Sequence, residues 1–131
     1  MTVYRHHSET PLSRVRGLGS AKGGVGHWWA QRVTAVANVG VMLWFVISMV
    51  LLPDLQYATV IAWLKQPLVA IPMLLLIASV FYHFRLGVQV MIEDYVHAEG
   101  NKLVSLLALN FYTVVTAAIA AFSVLRIAFG A

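Results

Sequence analysis

The chain has 131 residues, 60% of them hydrophobic and only 11% charged, where a soluble domain carries about a quarter charged residues. That deficit excludes an ordinary water-soluble domain, and the absence of cysteine excludes disulfides, thiolate catalysis and iron–sulfur ligation by this chain. The formal net charge of +4 comes without a basic patch interleaved with exposed aromatics, which argues against nucleic acid as a partner.

Residues 1–26, "MTVYRHHSETPLSRVRGLGSAKGGVG", are polar, basic and glycine-rich. They lack the apolar core and small-residue cleavage site of a secretory signal, so they read as a retained tail ahead of an anchor domain at 27–131. "GLGSAKGG" lacks the Gly-Lys-Ser/Thr ending of a phosphate loop, and no strand precedes it. Three runs free of Asp, Glu, Lys and Arg follow: Val33–Leu52 with 20 residues, Gln66–Phe84 with 19 and Leu103–Leu125 with 23. A helix crosses a ~30 Å hydrocarbon core in about 20 residues, which predicts an all-α membrane protein with three transmembrane helices. The spans fall at about 33–52, 66–92 and 103–125, the second continuing past Arg85 to Ile92. Pro67 suits the first turn of the second helix, and Pro72 predicts a slight bend. The intervening segment 53–65, with Tyr57 and Trp63, is expected along the outer interface, where such rings settle. The third span, with "TVVTAAIAAFS", is rich in small residues that let helices approach closely.

Orientation follows from the basic residues. Arg5, Arg14, Arg16, Lys22 and Arg32 precede the first span and Lys102 sits between the second and third, while the opposite side holds only Lys65 and Arg126. The positive-inside rule places the N-terminus and the 93–102 connection in the cytoplasm.

Within the oily second span lies "FYHFRLGVQVMIEDYVH", residues 81–97. Ionisable groups at membrane depth are expensive and usually functional. Gly87 falls one turn after His83, and Asp94 lies ~16 Å further along the axis and about 20° around, so one stripe reads imidazole, gap, carboxylate. The stripe suits either interhelical packing or a ligand site. A buried imidazole is a good axial ligand for haem iron, and a glycine one turn away clears space for the macrocycle. His6, His7, His27 and His97 sit in the tail or at helix ends, so a second axial ligand would come from a partner chain. Tyr95 is placed either to anchor in the headgroup belt or to donate a hydrogen bond to a quinone carbonyl, with Asp94 beside it. Arg32, in "GHWWAQR" at 26–32, fits a snorkelling arginine or a partner for a haem propionate or quinone head. Trp28 and Trp29 suit interfacial anchors, with the alternative that one of them lines the pocket. Arg85 lies about 200° around the helix from His83, off that stripe.

The pattern His83–x3–Gly87–x6–Asp94–Tyr95–Val96–His97 resembles the signature of the small hydrophobic membrane-anchor subunit of succinate dehydrogenase, respiratory complex II. "GHWWAQRVTAVA", residues 26–37, is similar to the start of the first helix in bacterial members of that family. The resemblance implies a complex of a flavoprotein, an iron–sulfur subunit and two anchor subunits that hold a b-type haem and help form the ubiquinone site. On it, His83 is one axial haem ligand, Gly87 gives haem clearance, and Tyr95 with Asp94 binds ubiquinone. Arg32 and His27 become candidates for haem-propionate or quinone-site contacts. The expected location is the bacterial cytoplasmic (inner) membrane, with the mitochondrial inner membrane as the alternative. Two other readings stay open: the anchor of a quinol:fumarate reductase, and a non-redox transport or assembly subunit whose polar stripe only packs helices.

Overall fold

The computed structural model describes Leu12 and residues 24–130. The basic stretch carrying Arg5, His6, His7, Arg14, Arg16 and Lys22 lies outside the described residues. Residues 24–130 form four helices and no strand: α1 (Gly24–Val50), α2 (Tyr57–Leu64), α3 (Pro67–Tyr95) and α4 (Glu99–Phe129).

Three of these, α1, α3 and α4, are long and apolar enough to cross a membrane, with 27, 29 and 31 residues. At 1.5 Å per residue they extend about 40–46 Å, so each outruns the hydrocarbon core and places its polar ends among headgroups. The uncharged runs therefore mark only the membrane-embedded part of each helix. The first helix opens at Gly24, inside the glycine-rich end of the tail, so His27 to Arg32 are helical. α3 takes Pro67 in its first turn, where the missing N–H costs no hydrogen bond, and runs on through Pro72 as one helix. α4 stops at Gly130, whose φ of 71° supplies the left-handed conformation that ends the helix.

The three long helices form an open row rather than a closed bundle. α3 lies in the middle, with α1 on one side and α4 on the other, and α1 and α4 do not pack together. On α4 the small-residue run faces inward through Thr113, Thr116, Ala117, Ala120 and Val124, all buried or half-buried. Its hydroxyls bond back onto their own helix, Thr113 to the Leu109 carbonyl at 2.6 Å and Thr116 to that of Tyr112 at 2.6 Å, so they demand no partner elsewhere.

Packing is densest at the end of the row that holds α2. Trp63, Val69, Ala70, Met73, Leu76 and Val124 form a buried cluster, flanked by Trp44, Phe45 and Met49 of α1. The 53–65 segment contains α2, which carries its two rings in different directions. Tyr57 is exposed, whereas Trp63 is buried, stacked on Trp44 at 6.3 Å and tilted against Phe45 at 6.3 Å. About one and two-thirds helical turns separate the two residues, which is enough to send one ring outward and the other into the core. At the opposite end Lys102 donates to the Glu93 carbonyl at 2.9 Å and closes the tight α3–α4 connection.

Candidate site in the cytoplasmic half

His27, Gln31, Thr34 and Asn38 recur on α1 at intervals of four, three and four residues, which puts them on one face. Across from them, Ser79, His83 and Gly87 recur at intervals of four on α3. The two stripes meet. Thr34 Oγ1 lies 3.0 Å from His83 Nδ1, and a β-carbon at Gly87 would sit 3.5 Å from Gln31 Nε2. The antiparallel register that sets these pairs also brings Asn38 level with Ser79. The interface between α1 and α3 thus carries a polar seam through a membrane-spanning pair.

The seam is incompletely satisfied. His27 Nε2, Gln31 Oε1, Asn38 Oδ1 and Ser79 Oγ are buried without a hydrogen-bond partner among the described residues. Such atoms are costly in an apolar interior and usually find a ligand, a partner chain or water. Two of them, on His27 and Gln31, belong to residues that line an open groove of about 470 Å³ with Gly24, Trp28, Gly87 and Val90. His83 lies one turn further into the membrane than Gly87, just beyond this groove.

The sequence-predicted residues are therefore only partly gathered. His27 and Gly87 share the groove, and His83 is held beside it by Thr34. Arg32 does not line it; its guanidinium stands 4.3 Å above the ring of Trp28, which does. This cation–π contact positions the charge at the groove rim. Tyr95 lies apart, 78% exposed at the end of α3, over a shallow cavity of about 370 Å³ shared with Met91, Ile92 and Val96. Asp94 is exposed beside it. Glu93 is held away from this pair, its carboxylate accepting from Gln89 Nε2 at 2.8 Å. Arg85 resolves onto the opposite side of α3, where its Nε donates to Asn110 Oδ1 on α4. With its offset of about 200° around α3, Arg85 faces α4 where His83 faces α1.

The residues present fit the haem that the resemblance implies. Thr34 occupies His83 Nδ1, and no described residue bonds Nε2, which leaves one imidazole nitrogen for an axial ligand bond. Gly87, one turn away, is not filled by the chain's own packing, since a methyl there meets nothing closer than 3.5 Å. No three His, Cys, Asp or Glu side chains converge among the described residues, so the site offers a single ligand and not a chelating cluster. Sequence reasoning missed Gln31, Thr34, Asn38 and Ser79. The signal for them was present in the spacing of polar residues across 27, 31, 34 and 38, and in that of 79, 83 and 87.

Comparison with known proteins places this geometry in context. Residues 6–117 match the family described as succinate dehydrogenase/fumarate reductase transmembrane subunit. The succinate dehydrogenase hydrophobic membrane anchor subunit of Rickettsia bellii is 33% identical over 105 residues, which is 80% of this chain and 84% of that protein. The protein of the same name from Paracoccus denitrificans is 31% identical over 122 residues, 93% of this chain and 94% of that one. The succinate dehydrogenase membrane anchor subunit of Reclinomonas americana is 33% identical over 88 residues, 65% of this chain and 73% of that one. No solved structure matches the chain.

Proposed function

This chain belongs to the family of succinate dehydrogenase/fumarate reductase transmembrane subunits, multi-pass proteins of the inner membrane, and we propose that it provides one axial haem b ligand and part of a ubiquinone-reduction site. It would do so as the anchor for a flavoprotein, an iron–sulfur subunit and a second anchor chain. The relatives compared above are named for succinate dehydrogenase, which favours electron flow from succinate to ubiquinone over the fumarate-reducing direction.

The observation that carries the reading is His83: half-buried at membrane depth, with one nitrogen bonded across the helix interface and the other uncommitted, beside a groove whose own polar atoms lack partners. A bound b-type haem supplies one-electron redox capacity within the anchor. This chain's residues hold and orient. His83 Nε2 offers the ligand pair, Gly87 leaves room for a flat ring, and His27 and Arg32 at the groove mouth are placed to bond anionic propionates or the quinone head. At the cytoplasmic surface, the Tyr95 hydroxyl is free to donate to a quinone carbonyl, and Asp94 lies on the water side where protons must enter. Ubiquinone takes up two electrons and two protons on reduction, so a site at this membrane level has direct access to both the iron–sulfur partner and cytoplasmic water.

The test is a dithionite-reduced minus oxidised spectrum of the complex purified in mild detergent. A b-type haem band accompanied by a flavoprotein supports the reading, and a complex lacking both would sink it. Tyr95→Phe refines it: ubiquinone reduction should slow about tenfold relative to reduction of an artificial acceptor, the order expected for one lost hydrogen bond. Parent-like ubiquinone reduction in that variant would remove Tyr95 from the site.

A further inference from the structure

The hydrogen bonds around Thr34 fix more than a contact, because a hydroxyl has a single proton to give. Thr34 Oγ1 lies 2.7 Å from the Ala30 carbonyl and 3.1 Å from that of Gln31, one turn back on the same helix. Those carbonyls can only accept, so the hydroxyl proton points to them. Toward His83 Nδ1, at 3.0 Å, Thr34 Oγ1 is left with lone pairs alone. That arrangement favours the tautomer in which the ring supplies the hydrogen of the contact, with Nδ1 the protonated nitrogen. In the neutral imidazole, Nε2 then carries the unshared pair.

We propose that Thr34 is a positioning residue for His83: its doubly anchored hydroxyl holds the imidazole in the Nδ1–H tautomer and fixes the ring plane, so that Nε2 is ready to bind haem iron. The inference rests on the reading of His83 as an axial ligand. Three features make the hold firm. The side chain is β-branched and rotamer-restricted, its oxygen is tied to α1 by two carbonyls, and the contact spans the α1–α3 interface. Ligating histidines characteristically donate their second N–H to such an acceptor, which orients the ring and raises its basicity. A more basic ligand favours ferric over ferrous iron, so Thr34 should hold the haem potential down.

The experiment uses the assembled complex carrying Thr34→Val, Thr34→Ala, Thr34→Ser or His83→Leu, with flavin content setting the amount of complex. Haem is titrated optically for its midpoint potential, and the ferric low-spin signal is recorded by electron paramagnetic resonance. Thr34→Val and Thr34→Ala are expected to raise the potential and move the largest g value, while Thr34→Ser, which keeps the hydroxyl, returns both toward the parent. Parent-like potential and signal in both hydroxyl-free variants would overturn the role of Thr34. His83→Leu with an unaltered signal would instead overturn the axial assignment, so the two failures are separable. The unsubstituted complex gives a second reading. With the haem itself reduced to its diamagnetic low-spin ferrous form, nitrogen NMR of labelled histidine should find His83 Nδ1 protonated and hydrogen-bonded; an Nδ1 proton in exchange with water would contradict the proposal whether or not the variants assemble.

Discussion

The two halves of this small membrane protein are packed on opposite principles. Toward the outer surface, Trp63, Val69, Ala70, Met73, Leu76 and Val124 close a dry apolar cluster. At the other end, expected to face the cytoplasm, α1 and α3 meet through His27, Gln31, Thr34 and Asn38 against Ser79, His83 and Gly87, and four buried polar atoms lack partners among the described residues. In lipid, apolar packing between helices gains little over contact with acyl chains, so shape and dispersion hold the outer half together. Unpaired polar atoms hold nothing together; they are retained where something binds them. One half keeps the helices in register, and the other uses that register to present groups.

Several substitutions would break or sharpen this contrast. Trp63→Ala should cost the most stability, up to about 3 kcal/mol, because it opens a cavity under Trp44 and Phe45. Thermal unfolding of the complex would read this, and the haem spectrum should stay unchanged; a shifted spectrum would mean that the halves are coupled. Asn110→Leu should cost about 1–3 kcal/mol, since it strands the Arg85 guanidinium at membrane depth without its α4 partner. Arg85→Met together with Asn110→Leu should recover most of that loss, and a failure to recover would assign Arg85 a partner outside this chain. Gly87→Ala is expected to leave stability within about 0.5 kcal/mol, because the added methyl meets Gln31 only at ordinary contact distance. The haem-to-flavin ratio should nevertheless fall; an unchanged ratio would reduce Gly87 to a packing glycine.

The smallest effect concerns the outer loop. The hydroxyl of Thr59 and the backbone N–H of Gln56 both bond the Asp54 carboxylate and hold its pKa below the ordinary value. Because the folded value is the lower one, this stabilisation of the entry to α2 is complete above the usual carboxylate range and is lost as pH falls through the lowered value. Protease nicking near residue 54 should rise on acidification in the parent and be independent of pH in Asp54→Ala.

Much of the fold was legible in the sequence, because length and charge deficit determine how many helices can span. His83 and Gly87 stood out since a titratable ring and a missing side chain are conspicuous in an oily run. Thr34, Gln31 and Asn38 did not, because uncharged polar residues are tolerated in spans and reveal a role only once an opposing helix is in place. Arg85 was unreadable for the same reason: its partner depends on how α4 is rotated about its own axis, which no local pattern encodes. The packing of Trp63 against Trp44 and Phe45 was not legible, because only the turn of α2 sends that ring toward the protein.

The difference between the halves can be tested in one measurement, the reduced minus oxidised haem spectrum of complexes carrying His83→Leu or Trp63→Leu, normalised to flavin. The b-type band should survive Trp63→Leu intact and be lost or displaced in His83→Leu. An unaltered band in His83→Leu would contradict the assignment of the cytoplasmic seam as the haem-holding half of the chain.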